Sequence, residues 1–107
     1  MTNLSSGKFG LDADSLERVQ SVFNNFPEVT QVIIYGSRAK GVEKLGSDID
    51  LALKGEDISL NTLLAIENDL DDLLLPYKFD ISIYKNINNI ELIRHIQKFG
   101  QVFSNFH

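Results

Sequence analysis

The sequence predicts an α+β fold in which one small mixed sheet is covered on one face by helices. Short apolar, partly alternating runs favour three strands, at residues 29–35, 48–53 and 79–84. Apolar residues spaced three and four apart favour helices before, between and after these runs. A chain of 107 residues has room for one domain of this kind, so the strands are expected to share one sheet.

Composition excludes several classes of protein. Hydrophobic residues make up 43% of the chain, which favours a packed core over disorder. Cysteine is absent, so the sequence offers neither disulfides nor thiolate ligands for a metal. We find no apolar run of membrane-spanning length and no signal peptide, and we expect a cytoplasmic protein without membrane contact. The net charge of -5 argues against binding duplex nucleic acid through bulk electrostatics.

The chain is expected to begin with a flexible arm, residues 1–11, followed by a single domain, residues 12–107. The arm is rich in glycine, serine and threonine, which disfavour regular structure. In the first helix, Asp14 and Glu17 have the spacing of a capping box, in which each side chain binds a free backbone N–H. Pro27 ends this helix because proline lacks the N–H that a helix interior requires.

A strand, a turn, a short helical segment and a second strand form the middle of the sequence. Residues 29–35 are an apolar, β-branched run, and Gly36 with Ser37 is expected to turn the chain after it. In the second strand, apolar residues alternate with Asp48 and Asp50, so both carboxylates are expected on the same face. Residues i and i+2 of a strand lie within about 7 Å, which is close enough to share metal ions.

The second half of the chain continues the alternation of helix and strand. Ser59 is expected to cap a helix whose apolar stripe runs to Leu74, and Pro76 ends that helix. Residues 79–84 alternate again and place Asp80 on the polar face of a third strand. A third carboxylate is thereby expected beside the first two, on the face that the helices leave open.

The last helix carries the capping pattern a second time, in Asn88 and Glu91, and continues to Gly100. His95 in this helix is expected at the surface or rim, without a part in catalysis. The tail, residues 101–107, is expected either to add a short edge segment to the sheet or simply to pack.

Three carboxylates on neighbouring strands, Asp48, Asp50 and Asp80, are unfavourable unless a cation lies among them. Like charges a few ångströms apart repel and raise each other's pKa. Mg²⁺ relieves this repulsion, because it prefers one or two carboxylates together with phosphate oxygens and waters. Two such ions roughly 3.5–4 Å apart stabilise both the attacking and the leaving oxygen at phosphorus. The pattern therefore indicates a two-metal site for a phosphorylated substrate.

A candidate phosphate-binding turn precedes the carboxylates. Gly36 lets the backbone approach a phosphate closely, and Ser37 adds a hydroxyl and a helix-start amide. Arg38 and Lys40 follow at once, and arginine suits bidentate contact with phosphate. Each motif alone has a simpler interpretation, such as a turn or a solvated strand edge, and for Tyr35 that interpretation is strand packing. The joint occurrence of the motifs favours function.

Together these residues resemble the signature of the nucleotidyltransferase superfamily related to DNA polymerase beta. The pattern is G-S, then ten residues, then D-x-D, with a later single Asp on a strand. The short length and the sequence G-S-R-A-K-G…S-D-I-D-L-A-L are similar to those of minimal nucleotidyltransferases, which are small antitoxins encoded beside a helical HEPN-type ribonuclease toxin. The resemblance implies the polymerase beta-like nucleotidyltransferase fold and an enzyme that transfers a nucleotidyl group.

The resemblance also implies roles for the individual residues. Asp48 and Asp50 would ligate two Mg²⁺ ions. Asp80 would complete the metal nearest the acceptor and help to deprotonate the acceptor. The residues implied to bind the phosphates of the nucleotide, or to lie beside them, are Gly36, Ser37, Arg38 and Lys40.

For the antitoxin branch, the implied nucleotide is ATP and the implied acceptor is a tyrosine of the HEPN toxin, which adenylylation silences. The length of the chain leaves no room for an acceptor-binding domain, which favours an acceptor on another protein. Two alternatives stay open. One is a non-catalytic antitoxin that acts by direct binding, and the other is nucleotidyl transfer to a small molecule or to an RNA end.

Overall fold

The computed structural model describes residues 8–41 and 48–105. Its helices are α1 (Ala13–Asn24), α2 (Ser37–Lys40), α3 (Leu60–Asp71) and α4 (Ile90–Phe99). Its strands are β1 (Gln31–Tyr35), β2 (Ile49–Lys54), β3 (Phe79–Ile83) and β4 (Gln101–Asn105). Short 3₁₀ turns are formed by Lys8–Gly10 and Tyr84–Asn86. None of the helices in these two stretches is long and apolar enough to cross a membrane.

The four strands form one sheet in the order β3-β2-β1-β4. β1 is antiparallel to both β2 and β4. β2 and β3 are parallel, because α3 crosses over between them. The predicted order of helices and strands is confirmed, and the tail takes the first of its two expected forms by adding the edge strand β4.

The helix caps agree with the sequence at one position and differ by one or two residues at the others. Ser59 caps α3 as predicted. α1 is capped by Asp12 rather than Asp14, and α4 by Asn89 rather than Asn88. Each cap has extended backbone, and its side chain accepts a hydrogen bond from the N–H three residues later. At the start of both α1 and α4, two polar residues that could act as the cap lie close together. The one that caps the helix is the one whose side chain reaches a free N–H.

The main core lies between the sheet and the pair α1 and α3, which pack together on one face. Alternate residues of β1 and β2 enter this core, as the predicted strand pattern requires. The residues at its centre are Val19, Phe23, Val32, Ile34, Leu51, Leu53, Ile66, Leu70 and Ile81.

The opposite face, which carries the carboxylates, is partly covered by α4. Ile96 of α4 packs against Ile33, Tyr35 and Ala52 in a second apolar cluster. The α+β fold class is confirmed, but the expectation that helices cover only one face is wrong in this detail. The reason is that β1 and β2 carry apolar residues on both faces, and the apolar stripe of α4 buries those that α1 and α3 do not reach.

The end of the predicted flexible arm, residues 1–11, falls among the described residues, and the arm itself stays a prediction. Leu11 is fully buried in the main core, and the Phe9 ring packs on Phe103 of β4 with centroids 5.8 Å apart. Apolar side chains at these two positions bind this part of the predicted arm to the domain. Residues 1–7, where the rest of the prediction falls, lie outside the described residues.

Candidate active site

Polar side chains from three strands form a row on the face that α4 partly covers. In the parallel pairing of β2 with β3, Asp50 is the register partner of Asp80. In the antiparallel pairing of β1 with β2, Tyr35 is the register partner of Asp50. Register partners point to the same face of a sheet, so these three side chains are neighbours. Asp48 lies immediately before β2 and is exposed.

The electrostatics of this row centre on Asp50. Its carboxyl group is partly buried, whereas Asp48 and Asp80 are exposed. Burial first, and then the negative charges of Asp80 and Asp48, raise the pKa of the Asp50 carboxyl above its ordinary value. The neighbouring His95 lowers this pKa in part. The raised pKa means that the folded protein disfavours the charged form of the Asp50 carboxyl. A cation bound beside it would favour the charged form.

The turn after β1 brings the backbone directly against the Asp50 carboxylate. Gly36 has φ 82° and ψ −157°, a conformation that is open to glycine and strongly disfavoured for other residues. A Cβ atom at Gly36 would overlap the Asp50 Oδ2 atom. The missing side chain of Gly36 therefore provides space for the central carboxylate of the row.

Ser37 follows this contact and begins α2, a single helical turn. Its position next to Gly36 keeps the Ser37 backbone close to the carboxylate row. The turn ends at Gly41, whose left-handed φ of 74° lets its N–H bond to the Arg38 carbonyl. The predicted G-S turn and the short helix that follows it are thus present.

The two basic residues of α2 contact other parts of the molecule. Arg38 is only 5% exposed, and its Nη1 donates a hydrogen bond of 2.9 Å to the Phe9 carbonyl. Its guanidinium also lies 5.3 Å from the centroid of the Tyr77 ring. Lys40 is exposed, with its Nζ 4.3 Å from the centroid of Phe99. These contacts tie α2 to the N-terminal segment and to α4, and contact of either residue with a phosphate stays a prediction.

Two residues that sequence reasoning set aside, Tyr35 and His95, belong to the site. Their rings meet edge to face with centroids 6.4 Å apart, and His95 continues to Phe99 at 5.2 Å. Burial and the charges of Asp50 and Asp80 raise the pKa of the Tyr35 hydroxyl, and a hydrogen bond with Ser82 opposes this. The position of Tyr35 opposite Asp50 follows from the antiparallel pairing of β1 with β2.

Residues 17–105 match the family described as Polymerase beta, Nucleotidyltransferase. The chain belongs to this family. The matched stretch contains all four strands and the whole carboxylate row. The family predicted from the sequence is therefore confirmed. Among proteins of curated function, none matches the chain significantly in sequence.

Several solved structures share the fold of this nucleotidyltransferase. One is a toxin–antitoxin structure with AMP-PNP, at TM-score 0.69 and 17% identity over 86% of this chain and 74% of that chain. Another is a tri-AMPylated Shewanella oneidensis HEPN toxin in complex with MNT antitoxin, at TM-score 0.63 and 15% identity over 85% and 70%. A putative nucleotidyltransferase from Sulfolobus solfataricus reaches TM-score 0.53 and 21% identity over 96% and 93%.

The donor atoms of this nucleotidyltransferase site suit Mg²⁺, because carboxylate oxygens are hard ligands. Within residues 8–41 and 48–105, no three His, Cys, Asp or Glu side chains form a group that could hold a metal ion by themselves. Asp50 and Asp80 are nevertheless adjacent, and burial, followed by like charge, raises the pKa of Asp50. The residues therefore fit a metal that takes its remaining ligands from a nucleotide and from water.

The structure thus brings together part of the predicted site. Gly36, Asp50 and Asp80 are adjacent, and Asp48 is near enough for its charge to act on Asp50. Ser37 lies next in the chain, while the other predicted phosphate ligands face the contacts described above. Residues 42–47, which connect α2 to Asp48, lie outside the described residues.

Proposed function

We propose that this nucleotidyltransferase is a cytoplasmic, Mg²⁺-dependent antitoxin enzyme that transfers AMP from ATP to a tyrosine hydroxyl of a HEPN-type ribonuclease toxin. The observation that carries the proposal is the close approach of Gly36 to Asp50, which is in turn the register partner of Asp80. Two structural neighbours support the finer assignment, one with AMP-PNP and one with an AMPylated HEPN toxin in complex with MNT antitoxin.

In this proposal the metal is held by Asp48, Asp50 and Asp80 together with the phosphates of ATP. When bound, Mg²⁺ supplies positive charge that stabilises the charge developing on the phosphate oxygens. Gly36 and Ser37 orient the β- and γ-phosphates through backbone N–H groups and the Ser37 hydroxyl. Because Asp50 is the most buried of the three carboxylates, its side chain is the least free to move and would anchor the bound Mg²⁺.

The reaction is an attack of the acceptor oxygen on the α-phosphorus of ATP. A bond forms between the tyrosine oxygen and this phosphorus, and the bond from phosphorus to the oxygen bridging the α- and β-phosphates breaks. Pyrophosphate leaves with the electron pair of the broken bond. Asp80 accepts the proton of the hydroxyl, for which its exposed position on β3 suits it.

The test uses the full chain, Mg²⁺ and the HEPN-type protein encoded beside its gene, with ATP labelled at either the α- or the γ-phosphate. We expect label from the α-phosphate, and none from the γ-phosphate, on the HEPN-type protein. Asp50→Asn should reduce the rate by more than about a hundredfold, because several kcal/mol of charge stabilisation is lost. Asp57→Asn, at an exposed position outside the site, is the matched control.

Other outcomes separate the competing functions. Transfer of label from the γ-phosphate would exclude nucleotidyl chemistry. Neutralisation of the toxin by Asp50→Asn to the same extent as by the unchanged protein, with no label transferred, would favour an antitoxin that acts by binding alone. Label that appears on RNA or on a small molecule, and not on the protein, would move the acceptor to those classes.

A further inference from the structure

The strand that carries Asp80 has an open edge. β3 lies at the end of the sheet, and among the strands that the structure describes it pairs only with β2. The Ile49 N–H donates to the Lys78 carbonyl over 2.8 Å, and this bond shows that the backbone groups of Lys78 point toward β2. Backbone groups of successive strand residues point to opposite sides, so Asp80 and Ser82 bond to β2. The groups that point outward are the N–H and C=O of Phe79 and Ile81 and the N–H of Ile83.

These outward groups have no hydrogen-bond partner among the residues that the structure describes. Natural proteins protect such edges with lysine, proline, a bulge or a covering segment. β3 has the sequence F-D-I-S-I and pairs without a register shift, so it contains no lysine, proline or bulge, and its one charged residue is Asp80. β4 at the other edge differs, because its pairing with β1 is interrupted by a register shift. Within residues 8–41 and 48–105, no segment pairs with the outer edge of β3, so this edge is available to another strand.

A groove of about 370 Å³ runs along this edge. Its walls are Leu60 and Leu63 from α3 on one side and Asn86 and Ile87 on the other. Leu60 is 66% exposed, so the groove has a large apolar side chain that is open to solvent. None of the lining residues is charged, so a polynucleotide would find no cation there. The chemistry favours an extended, mainly uncharged polypeptide, whose backbone pairs with the edge and whose apolar side chains enter the groove.

The groove is continuous with the candidate active site through β3 itself. Ser82 lines the groove, and Asp80, two residues earlier, is on the same face of the strand. A residue on an added strand that lies opposite Asp80 would point to the same face, with Cβ atoms about 5 Å apart. A hydroxyl-bearing side chain at that position would meet Asp80 directly.

We infer that the outer edge of β3 binds an extended segment of the acceptor protein by strand addition and so presents the acceptor hydroxyl to Asp80. This inference rests on the proposed function, since it names how the protein substrate of that reaction is held. Specificity for the segment comes from the apolar groove, and its register comes from the backbone pairing.

Amide hydrogen exchange tests the contact without any need for turnover. The full chain is compared alone and with the HEPN-type protein encoded beside its gene. We expect exchange at the Phe79 and Ile81 amides to slow by about tenfold or more in the complex, because these N–H groups gain partners. The Asp80 and Ser82 amides already bond to β2, so they serve as internal controls and should change little.

A pair of leucine variants tests the groove in the transfer reaction. Leu60→Lys places a charge in the groove wall and should raise KM for the acceptor protein at least about fivefold, with KM for ATP unchanged. Leu74→Lys is the matched control, since Leu74 is 88% exposed and lies outside the groove. It should leave both KM values unchanged. Equal effects of the two substitutions would contradict the inference.

The outcomes of this test and of the test of function are separable. Protection of the β3 amides without transfer of label would disprove the proposed reaction and leave the docking surface standing. Unchanged exchange at Phe79 and Ile81 in the presence of the HEPN-type protein would overturn the inference, whether that protein binds elsewhere or not at all. Protection that grows with the concentration of the chain alone would also overturn it, because a second copy would then occupy the edge.

Discussion

Gly36 and Gly41 both have left-handed φ values, yet only Gly36 touches a carboxylate. A Cβ atom at Gly36 would overlap Asp50, whereas a Cβ atom at Gly41 would meet nothing within 4 Å. At both positions a residue other than glycine would have a strained backbone. Only at Gly36 would its side chain also collide with Asp50. This difference allows the role of Gly36 in the site to be measured apart from its role in the turn.

We predict that Gly36→Ala and Gly41→Ala both lower the free energy of unfolding by about 1 kcal/mol or more, because an alanine is strained at these φ values. Only Gly36→Ala should also displace Asp50, so it alone should slow nucleotidyl transfer, by about tenfold or more. Urea denaturation and the labelled-ATP assay measure the two effects. A comparable loss of transfer in Gly41→Ala would show that strain in the turn, rather than the contact with Asp50, controls activity.

The raised pKa of Asp50 predicts a conflict between stability and function. The folded state disfavours the charged carboxylate, so its stability falls as pH rises from below the ordinary pKa of 3.8 to above the raised value. Asp50→Asn removes this charge. At pH 7 without Mg²⁺, the variant should therefore unfold at higher urea concentration than the unchanged protein.

This gain should disappear as pH falls below 3.8, where the carboxyl is protonated in both folded and unfolded states. Asp57→Asn, which removes one exposed charge elsewhere, controls for the change in net charge. Urea midpoints across the pH range give the comparison. A midpoint at pH 7 that is lower for Asp50→Asn than for the unchanged protein would disprove the raised pKa of Asp50, which is assigned to burial and to the neighbouring carboxylates.

At the scale of secondary structure, α4 links the fold to the site. It buries Ile96 against the sheet and places His95 beside Tyr35 on the carboxylate face. Its start is fixed by Asn89, whose side-chain oxygen accepts the Leu92 N–H over 3.1 Å. The cap therefore helps to hold His95 and Ile96 in place on the carboxylate face.

Replacement of Asn89 by alanine should lower the free energy of unfolding by about 1 kcal/mol, because a free N–H of α4 loses its partner. Asn88→Ala is the matched control, as Asn88 is the adjacent exposed asparagine and is not the cap. It should have an effect near zero. Thermal or urea unfolding of the two variants decides between the cap in the structure and the cap predicted from sequence, and a larger loss for Asn88→Ala would favour the latter.

The elements also show which parts of the site sequence patterns can predict. The alternation in β2 and β3 correctly indicated which residues share a face, because side chains of a strand alternate strictly. It did not indicate that Asp50 and Asp80 are register partners, because register depends on how α3 packs. The apolar stripe of α4 indicated a buried helix, but an amphipathic pattern does not specify which face of a sheet the helix covers.

Single residues were harder to predict where tertiary contacts decide their role. Arg38 follows the G-S turn, and its sequence position favoured a phosphate ligand. The sequence did not indicate that the Arg38 guanidinium also contacts the Phe9 carbonyl and the Tyr77 ring, which come from segments distant in sequence. The place of His95 in the site could not be predicted for the same reason. Its contact with Tyr35 forms only when α4 packs on the sheet.

At the scale of the whole molecule, ligand binding should be visible as a change in global stability. A ligand that binds only the folded state stabilises it by about 2.7 kcal/mol at a hundred times its Kd. We predict that Mg²⁺ with AMP-PNP raises the Tm of the unchanged protein, and that Mg²⁺ or AMP-PNP alone raises it much less. Asp50→Asn should abolish this increase, because the metal loses its central ligand.

Asp57→Asn again serves as the control and should keep the full increase in Tm. Differential scanning fluorimetry measures all of these conditions without an acceptor protein. An equal increase for Asp50→Asn would mean that the nucleotide binds somewhere other than the carboxylate row. An increase with AMP-PNP alone would show that binding does not require a metal.

The position of β4 has a consequence for how the molecule is made. β4 (Gln101–Asn105) pairs with β1 (Gln31–Tyr35), which is synthesised well before it. Until β4 leaves the ribosome, β1 can pair with β2 on one side only. Its other edge, which ends directly before the Gly36 turn, stays unpaired. Contacts between residues so distant in sequence form slowly. The nascent chain therefore exposes the unpaired edges of both β1 and β3, and we expect a chaperone to shield them during translation.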